Sequence, residues 1–166
     1  MTSILRFVAI LALSTWIGGS FFLVFFVAPD AFRLLPTPDL AGAVVGLALA
    51  RLHLVAMTAA IVFLVCHTWL LHNARALVRP AALLVFAMMI LTAASQYGVT
   101  PRMADLRQQM TAEHGSLEAT PRTSPTRQAF GRLHGVSVVL ELSTLLMGLG
   151  VLYITVRRIG SGPSPA

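Results

Sequence analysis

Two Arg-Leu-His triplets hold most of the side chains in this chain that could do chemistry. Arg51-Leu52-His53 and Arg132-Leu133-His134 each open a long apolar run, and Ser137 and Glu141 follow the second triplet. Polar groups inside apolar runs are costly in lipid, so each needs a partner or a function. His134 and Glu141 share a helix face about 10 Å apart along the axis, with Ser137 between them. Such a stripe in a bundle interior can hold a cation, relay protons or bind a polar ligand group.

The same residues also have a structural interpretation. Ser137 can bond to its own helix, and Glu141 can be protonated or paired with an arginine. Arg51 and Arg132 can extend to the membrane interface. Alternatively, their two guanidinium groups form a clamp for an anion or a lipid headgroup.

His53 and His134 are the candidate metal ligands. Imidazole is a favoured ligand for transition metals and for haem iron, so either cofactor is an alternative. Three or four ligands are usual for a transition metal, and the nearest further candidates are Met57, Gln96 and Glu141. The chain has no CxxC or HExxH motif and no carboxylate-rich set. No nucleophile–base pair or nucleotide fingerprint identifies a reaction, so whether the protein is an enzyme stays open.

Composition places these residues in a membrane. The 166-residue chain is 57% hydrophobic and only 11% charged, whereas a soluble domain is roughly a quarter charged. Its net charge of +6 comes from arginine alone. The arginines stand at the ends of apolar runs, where they set topology. The chain has no basic, aromatic-rich soluble segment of the kind that predicts nucleic-acid binding, so the expected partner is the lipid bilayer.

Four apolar runs predict an all-α integral membrane four-helix bundle, a single domain of residues 1–158. The predicted spans are about residues 4–27, 47–71, 81–99 and 134–156. The first is expected to close at Ala28-Pro29 and the third before Thr100-Pro101. A polar loop, 102–124, with one short surface helix, and a disordered tail, 159–166, complete the chain.

The second and fourth helices are predicted to be longer than the bilayer is thick. Asp39 is the expected N-cap of the second helix, and Ser124-Pro125 the expected start of the fourth. Both starts lie well before the apolar runs, so these helices should project on the side of the long loop. Gly18-Gly19 and the Gly42-xxx-Gly46 pair are expected at close helix contacts.

The arginine distribution predicts the orientation. An even number of spans puts both termini on one side, with an acid-free set of arginines: Arg6, Arg75, Arg79, Arg157 and Arg158. The positive-inside rule then places both termini in the cytoplasm. The expected location is a plasma membrane, the inner membrane of a bacterium.

The two halves of the chain resemble each other. Each has a span ended by a small residue and proline, then a polar linker, then a long helix carrying Arg-Leu-His. Two repeated helical hairpins in parallel orientation would put His53 and His134 at matching depth.

Three motifs resemble the four-span family typified by transmembrane protein 205: Trp16-x-Gly18-Gly19, Pro29-x-x-Phe32, and Phe130-x-x-Leu133-His134-Gly135-x-Ser137. The likeness covers Leu11 to Leu152. It implies a four-helix membrane fold and no established activity. Glu141 departs from the family pattern, in which asparagine is expected.

These observations lead to one site hypothesis: His53, Gln96, His134 and Glu141 converge in the outer half of the bundle. The first functional hypothesis is a binding or transport-related protein for a metal ion or a small polar or amphipathic ligand. The alternatives are a haem- or metal-binding redox protein and an accessory subunit of a larger membrane complex. A protein this small that transports would work as an oligomer, so a second copy or a membrane complex is a further expected partner.

Overall fold

Four long helices make up most of the described part of the chain. The computed structural model describes residues 2–160, apart from the side chains at positions 74 and 158–160. The helices are α1 (Thr2–Leu34), α2 (Pro38–Leu71), α3 (Pro80–His114) and α4 (Pro125–Gly160). All four are long and apolar enough to cross a membrane. The chain is therefore an all-helical, four-span integral membrane protein, as predicted.

The helices pack as a closed ring. Each packs against the next in sequence, and α4 returns to contact α1. Large buried side chains fill the middle, among them Trp16, Phe63 and Met88. Gly148 of α4 allows a close approach to α1, because a Cβ there would lie 2.8 Å from Cγ1 of Ile17. Small residues at helix contacts are typical of membrane bundles, where close packing stabilises association.

The predicted ends of the first and third helices are wrong. α1 continues through Pro29 to Leu34, and α3 continues through Pro101 to His114. A π-helical segment precedes each proline, Leu23–Val27 in α1 and Ala94–Val99 in α3. Proline lacks an N–H and crowds the preceding turn, and a local π adjustment accommodates both effects. Both hairpins share this arrangement.

The early starts of α2 and α4 are confirmed, because they begin at Pro38 and Pro125. The N-cap of α2 is Thr37, whose Oγ1 accepts a hydrogen bond from the N–H of Leu40 at 3.2 Å. The prediction of Asp39 as the cap was wrong, since the carboxylate of Asp39 contacts the long linker instead.

The predicted polar loop 102–124 is partly helical. Its short helix is the end of α3, which Gly115 terminates in the left-handed conformation with φ 82°. Residues 115–124 then form the linker to α4. At the other end, α4 runs to Gly160, and the rest of the predicted tail lies outside the described residues. The positions of the membrane faces along the helices stay a prediction.

Candidate functional site

A buried polar cluster joins three of the four helices. Nδ1 of His53 lies 2.8 Å from Oε1 of Gln96, and Nε2 of His53 lies 3.5 Å from Oε2 of Glu141. His53 is 3% exposed and Glu141 is 8% exposed. Ionisable groups buried this deeply inside membrane helices usually line a functional pathway or pair with one another.

Each member of the cluster comes from a different helix. His53 and Glu141 stand on the regular helices α2 and α4, and Gln96 belongs to the π-helical segment of α3. A π turn inserts one extra residue and so changes which side chains face the bundle. The backbone adjustment required by Pro101 therefore also takes part in presenting Gln96 to His53.

The hydrogen bonds indicate where the protons of the cluster lie. An amide oxygen only accepts, so Nδ1–H of His53 donates to Gln96. A hydrogen bond between Nε2 of His53 and Oε2 of Glu141, which are 3.5 Å apart, requires one further proton. With that proton on the imidazole the contact is an ion pair, and with it on the carboxyl the contact is neutral. The pair has zero net charge either way, which makes its burial far less costly than that of a lone carboxylate.

The cluster has unused hydrogen-bonding capacity. Oε1 of Glu141 and the hydroxyl groups of Ser20 and Ser95 are buried with no hydrogen-bond partner among the described residues. Ser95 precedes Gln96 in sequence. Ser20 lies near the level of His53, because a Cβ on its neighbour Gly19 would lie 2.7 Å from Leu52. Unsatisfied buried polar atoms are costly, and of these three residues Glu141 is the one that also lines a cavity.

A cavity of about 390 Å³ leads to this cluster from the linker end of the bundle. Its walls are mainly apolar and come from all four helices, with side chains such as Leu23, Val45, Leu49, Met103 and Leu142. The polar lining consists of a few residues only: Thr100, Arg107, His134, Ser137 and Glu141. Ligand sites of 300–1,000 Å³ commonly combine apolar walls with a few convergent polar groups.

The linker end of the cavity is held by contacts between helices and linker. Oδ2 of Asp39 accepts a hydrogen bond from the N–H of Leu117 at 3.0 Å, and Oδ1 lies 3.7 Å from Nε of Arg107. The guanidinium of Arg107 lies over the ring of Phe130, 5.7 Å from its centroid. Asp39 and Arg107 therefore tie α2, α3 and the linker together where Leu117 covers the cavity.

The predicted Gly42-xxx-Gly46 contact between helices is wrong. Both glycines line the cavity. A Cβ on Gly42 would collide with the guanidinium of Arg107, whereas a Cβ on Gly46 would meet nothing within 4 Å. Gly42 thus makes room for a side chain rather than for a helix backbone. The predicted close approach at Gly18-Gly19 is found at Gly19 alone, since Gly18 has open space around it.

His134 does not join the buried cluster. Its side chain is exposed and lines the cavity, two turns from Glu141 on α4. The prediction that His53 and His134 lie at the same depth is wrong, because α2 and α4 start at different distances from their histidines. His53 lies 15 residues after Pro38, but His134 lies only nine after Pro125. This difference of six residues corresponds to about 9 Å along the helix axis, so His53 is level with Glu141 instead.

The remaining predicted site residues are placed as follows. Ser137 is half-buried and lines the cavity between His134 and Glu141. Arg51 and Arg132 are exposed, with no ion pair or hydrogen bond to the described residues. Exposure suits arginines that extend to the membrane interface, and the alternative of a lipid clamp stays a prediction.

The donor set suits an organic ligand better than a metal. The described residues include no group of three or more His, Cys, Asp or Glu side chains that could hold a metal ion. Both ring nitrogens of His53 already contact protein groups, and His134 lies two turns away. The arrangement of these donor groups matches neither a transition-metal site nor a bis-imidazole haem site.

Sequence reasoning missed Arg107 and Asp39 as parts of the site. Arg107 looked like a charge in a polar loop, and Asp39 looked like a helix cap. One signal was available for Arg107: it stands six residues after Pro101, and a helix continuing through that proline would carry it over the cavity.

Comparison with known proteins gives a family and no activity. No curated protein and no solved structure matches the chain. One family model, described as a domain of unknown function (DUF4149), matches residues 11–112, which is more than half of the chain. The matched region includes His53 and Gln96 and ends before Glu141. This four-span membrane protein, with its buried His53–Gln96–Glu141 contacts, therefore belongs to the DUF4149 family of unknown function.

Proposed function

We propose that the protein binds a small amphipathic molecule in the cavity at the linker end of the bundle, in a binding or transport-related role. The supporting observation is the combination of an apolar cavity of about 390 Å³ with Glu141, whose Oε1 is buried without a hydrogen-bond partner among the described residues. A ligand that satisfies this oxygen must bring a donor, an amine or a hydroxyl group. Its apolar part then lies along the walls towards Arg107.

The pairing of Glu141 with His53 suits the acceptor to a neutral donor, because a charged donor would give the buried site a net charge. Because the pair shares one proton, a bound amine or hydroxyl can shift that proton between Nε2 and Oε2 without adding net charge to the bundle. Sites built to hydrogen-bond a ligand group reject analogues that lack it, since the buried partner is then left unsatisfied.

A matched pair of probes tests this proposal. 2-Aminoanthracene carries an aromatic amine, and anthracene has the same rings without a donor. Native mass spectrometry of the protein released from mild detergent should show 2-aminoanthracene bound about tenfold more tightly than anthracene, the effect of one hydrogen bond to a charged acceptor. Equal affinities would show that Glu141 plays no part in recognition.

A cavity-filling substitution supplies the second arm. Gly46→Leu places a side chain into open space in the cavity wall, and leucine favours a helix more than glycine does. The variant should fold and lose the probe. Gly18→Leu is the matched control, because Gly18 also has open space around it but does not line the cavity. Retained binding in Gly46→Leu would place the ligand elsewhere.

The further parts of the proposal concern orientation and relationship. The arginine distribution supports both termini in the cytoplasm, which puts the cavity in the outer half of the membrane. The motif Phe130-x-x-Leu133-His134-Gly135-x-Ser137 supports a relationship to the family typified by transmembrane protein 205, and it lies outside the residues matched by the family model.

An absorption spectrum and elemental analysis of purified protein test the alternative of a haem or metal cofactor. Co-purification of other membrane proteins tests the role of accessory subunit.

A further inference from the structure

A second cavity lies at the opposite end of the bundle, where α1 starts and α4 ends. Its volume is about 190 Å³, and it is formed by the start of α1, the end of α2, the start of α3 and the end of α4. Two arginines from different helical ends, Arg6 and Arg79, line it. Its other lining residues are mostly apolar and include Phe63, Leu70 and Ile154.

The charge around this cavity is unbalanced. All six acidic residues of the chain lie elsewhere, at positions 30, 39, 105, 113, 118 and 141. Arg6 and Arg79 are exposed and form no ion pair within the described part of the chain. Three further arginines belong to the same end: Arg75, Arg157 and Arg158. An anion entering the cavity would therefore meet two guanidinium groups and no carboxylate side chain of the described residues.

The apolar lining identifies the kind of anion. A free phosphate would gain nothing from Leu70, Leu71 and Ile154, which are the partly exposed apolar side chains of the lining. A phospholipid would place its phosphate between the arginines and the upper part of an acyl chain against these side chains. Basic pockets between transmembrane helices on the cytoplasmic side bind anionic headgroups in this manner.

We propose that the cavity between Arg6 and Arg79 is a binding site for one anionic phospholipid, held by its phosphate. The site is separate from the linker-end cavity and does not depend on the function proposed for it. Guanidinium groups suit this role because they donate paired hydrogen bonds to phosphate oxygens.

Native mass spectrometry with lipids of identical acyl chains tests the proposal. Dioleoyl phosphatidylglycerol is the anionic probe, dioleoyl phosphatidylcholine the zwitterionic one, and inorganic phosphate the free anion. The protein should bind one phosphatidylglycerol in preference to phosphatidylcholine, and phosphate at the same concentration should not displace it. Equal binding of the two lipids would overturn the headgroup assignment, and displacement by phosphate would make this a free-anion site.

Paired charge variants locate the site. Arg6→Gln with Arg79→Gln should weaken phosphatidylglycerol binding on the order of 100-fold, the loss expected for two hydrogen bonds to a charged phosphate. Arg75→Gln with Arg157→Gln removes the same charge from the same end without touching the cavity lining. This control should stay within about threefold of the native protein, as surface charges there act only through screened attraction. Equal losses in both variants would mean diffuse attraction and no site, and the comparison of lipids on the native protein stands even if a variant misfolds.

Discussion

Replacing the His53–Glu141 pair by apolar residues is the sharpest test of whether the cluster is functional or structural. At the 3.5 Å separation of Nε2 and Oε2, an ion pair attracts by about 5 kcal/mol at an effective dielectric constant of 20. Burying the two charges costs several kcal/mol each, so the pair as a whole contributes little net stability. Removing one partner alone is different, because the other stays buried without compensation.

Single and double substitutions should therefore behave oppositely. His53→Leu alone, or Glu141→Met alone, should destabilise the protein by about 3 kcal/mol. For a chain of this size that lowers the melting temperature by roughly 6–12 °C. The double variant, His53→Leu with Glu141→Met, should melt within a few degrees of the native protein or above it, since similar volumes fill an apolar core.

The measurement is a thermal unfolding curve in mild detergent without added ligand. His134→Leu is the matched control, because His134 is exposed and outside the hydrogen-bonded cluster, and it should leave the melting temperature unchanged. A double variant that is as unstable as both single variants combined would show that the pair stabilises the fold. The inference that it is retained for ligand binding would then be refuted.

Three further predictions concern packing, the linker end and topology. Gly148→Ala should cost about 1–3 kcal/mol, since its Cβ would press on Ile17 at 2.8 Å, whereas Gly150→Ala, whose Cβ meets Leu84 at 4.0 Å, should be harmless in the same thermal assay. Asp39→Ala removes the acceptor for Leu117, so limited trypsin should cut after Arg122 several-fold faster than in the control Asp30→Ala; equal rates would show that Asp39 does not hold the linker. In a Cys66→Ser background, Ser116→Cys should react with an impermeant thiol reagent from outside the cell only, and labelling from the cytoplasm would reverse the orientation.

The fold class was predictable because it depends on local composition. Apolar runs long enough to cross a bilayer must satisfy their backbone hydrogen bonds internally, so they form helices whatever their neighbours are. The starts of α2 and α4 were predictable for a similar reason, since Pro38 and Pro125 follow Thr37 and Ser124. The continuation of α1 through Pro29 and of α3 through Pro101 was not predictable, because a proline stops a helix only where no π adjustment accommodates it.

The sequence by itself determined that His53, Gln96 and Glu141 had to avoid lipid, because burying polar groups in an apolar bundle requires partners. It could not determine which of them meet. That depended on the stagger of α2 against α4, which puts His53 level with Glu141 rather than with His134, and on the π turn that carries Gln96. The tertiary structure alone brought Asp39 and Arg107 to the end of the cavity. These contacts join residues far apart in the chain, so they follow from how the helices pack and not from any local pattern.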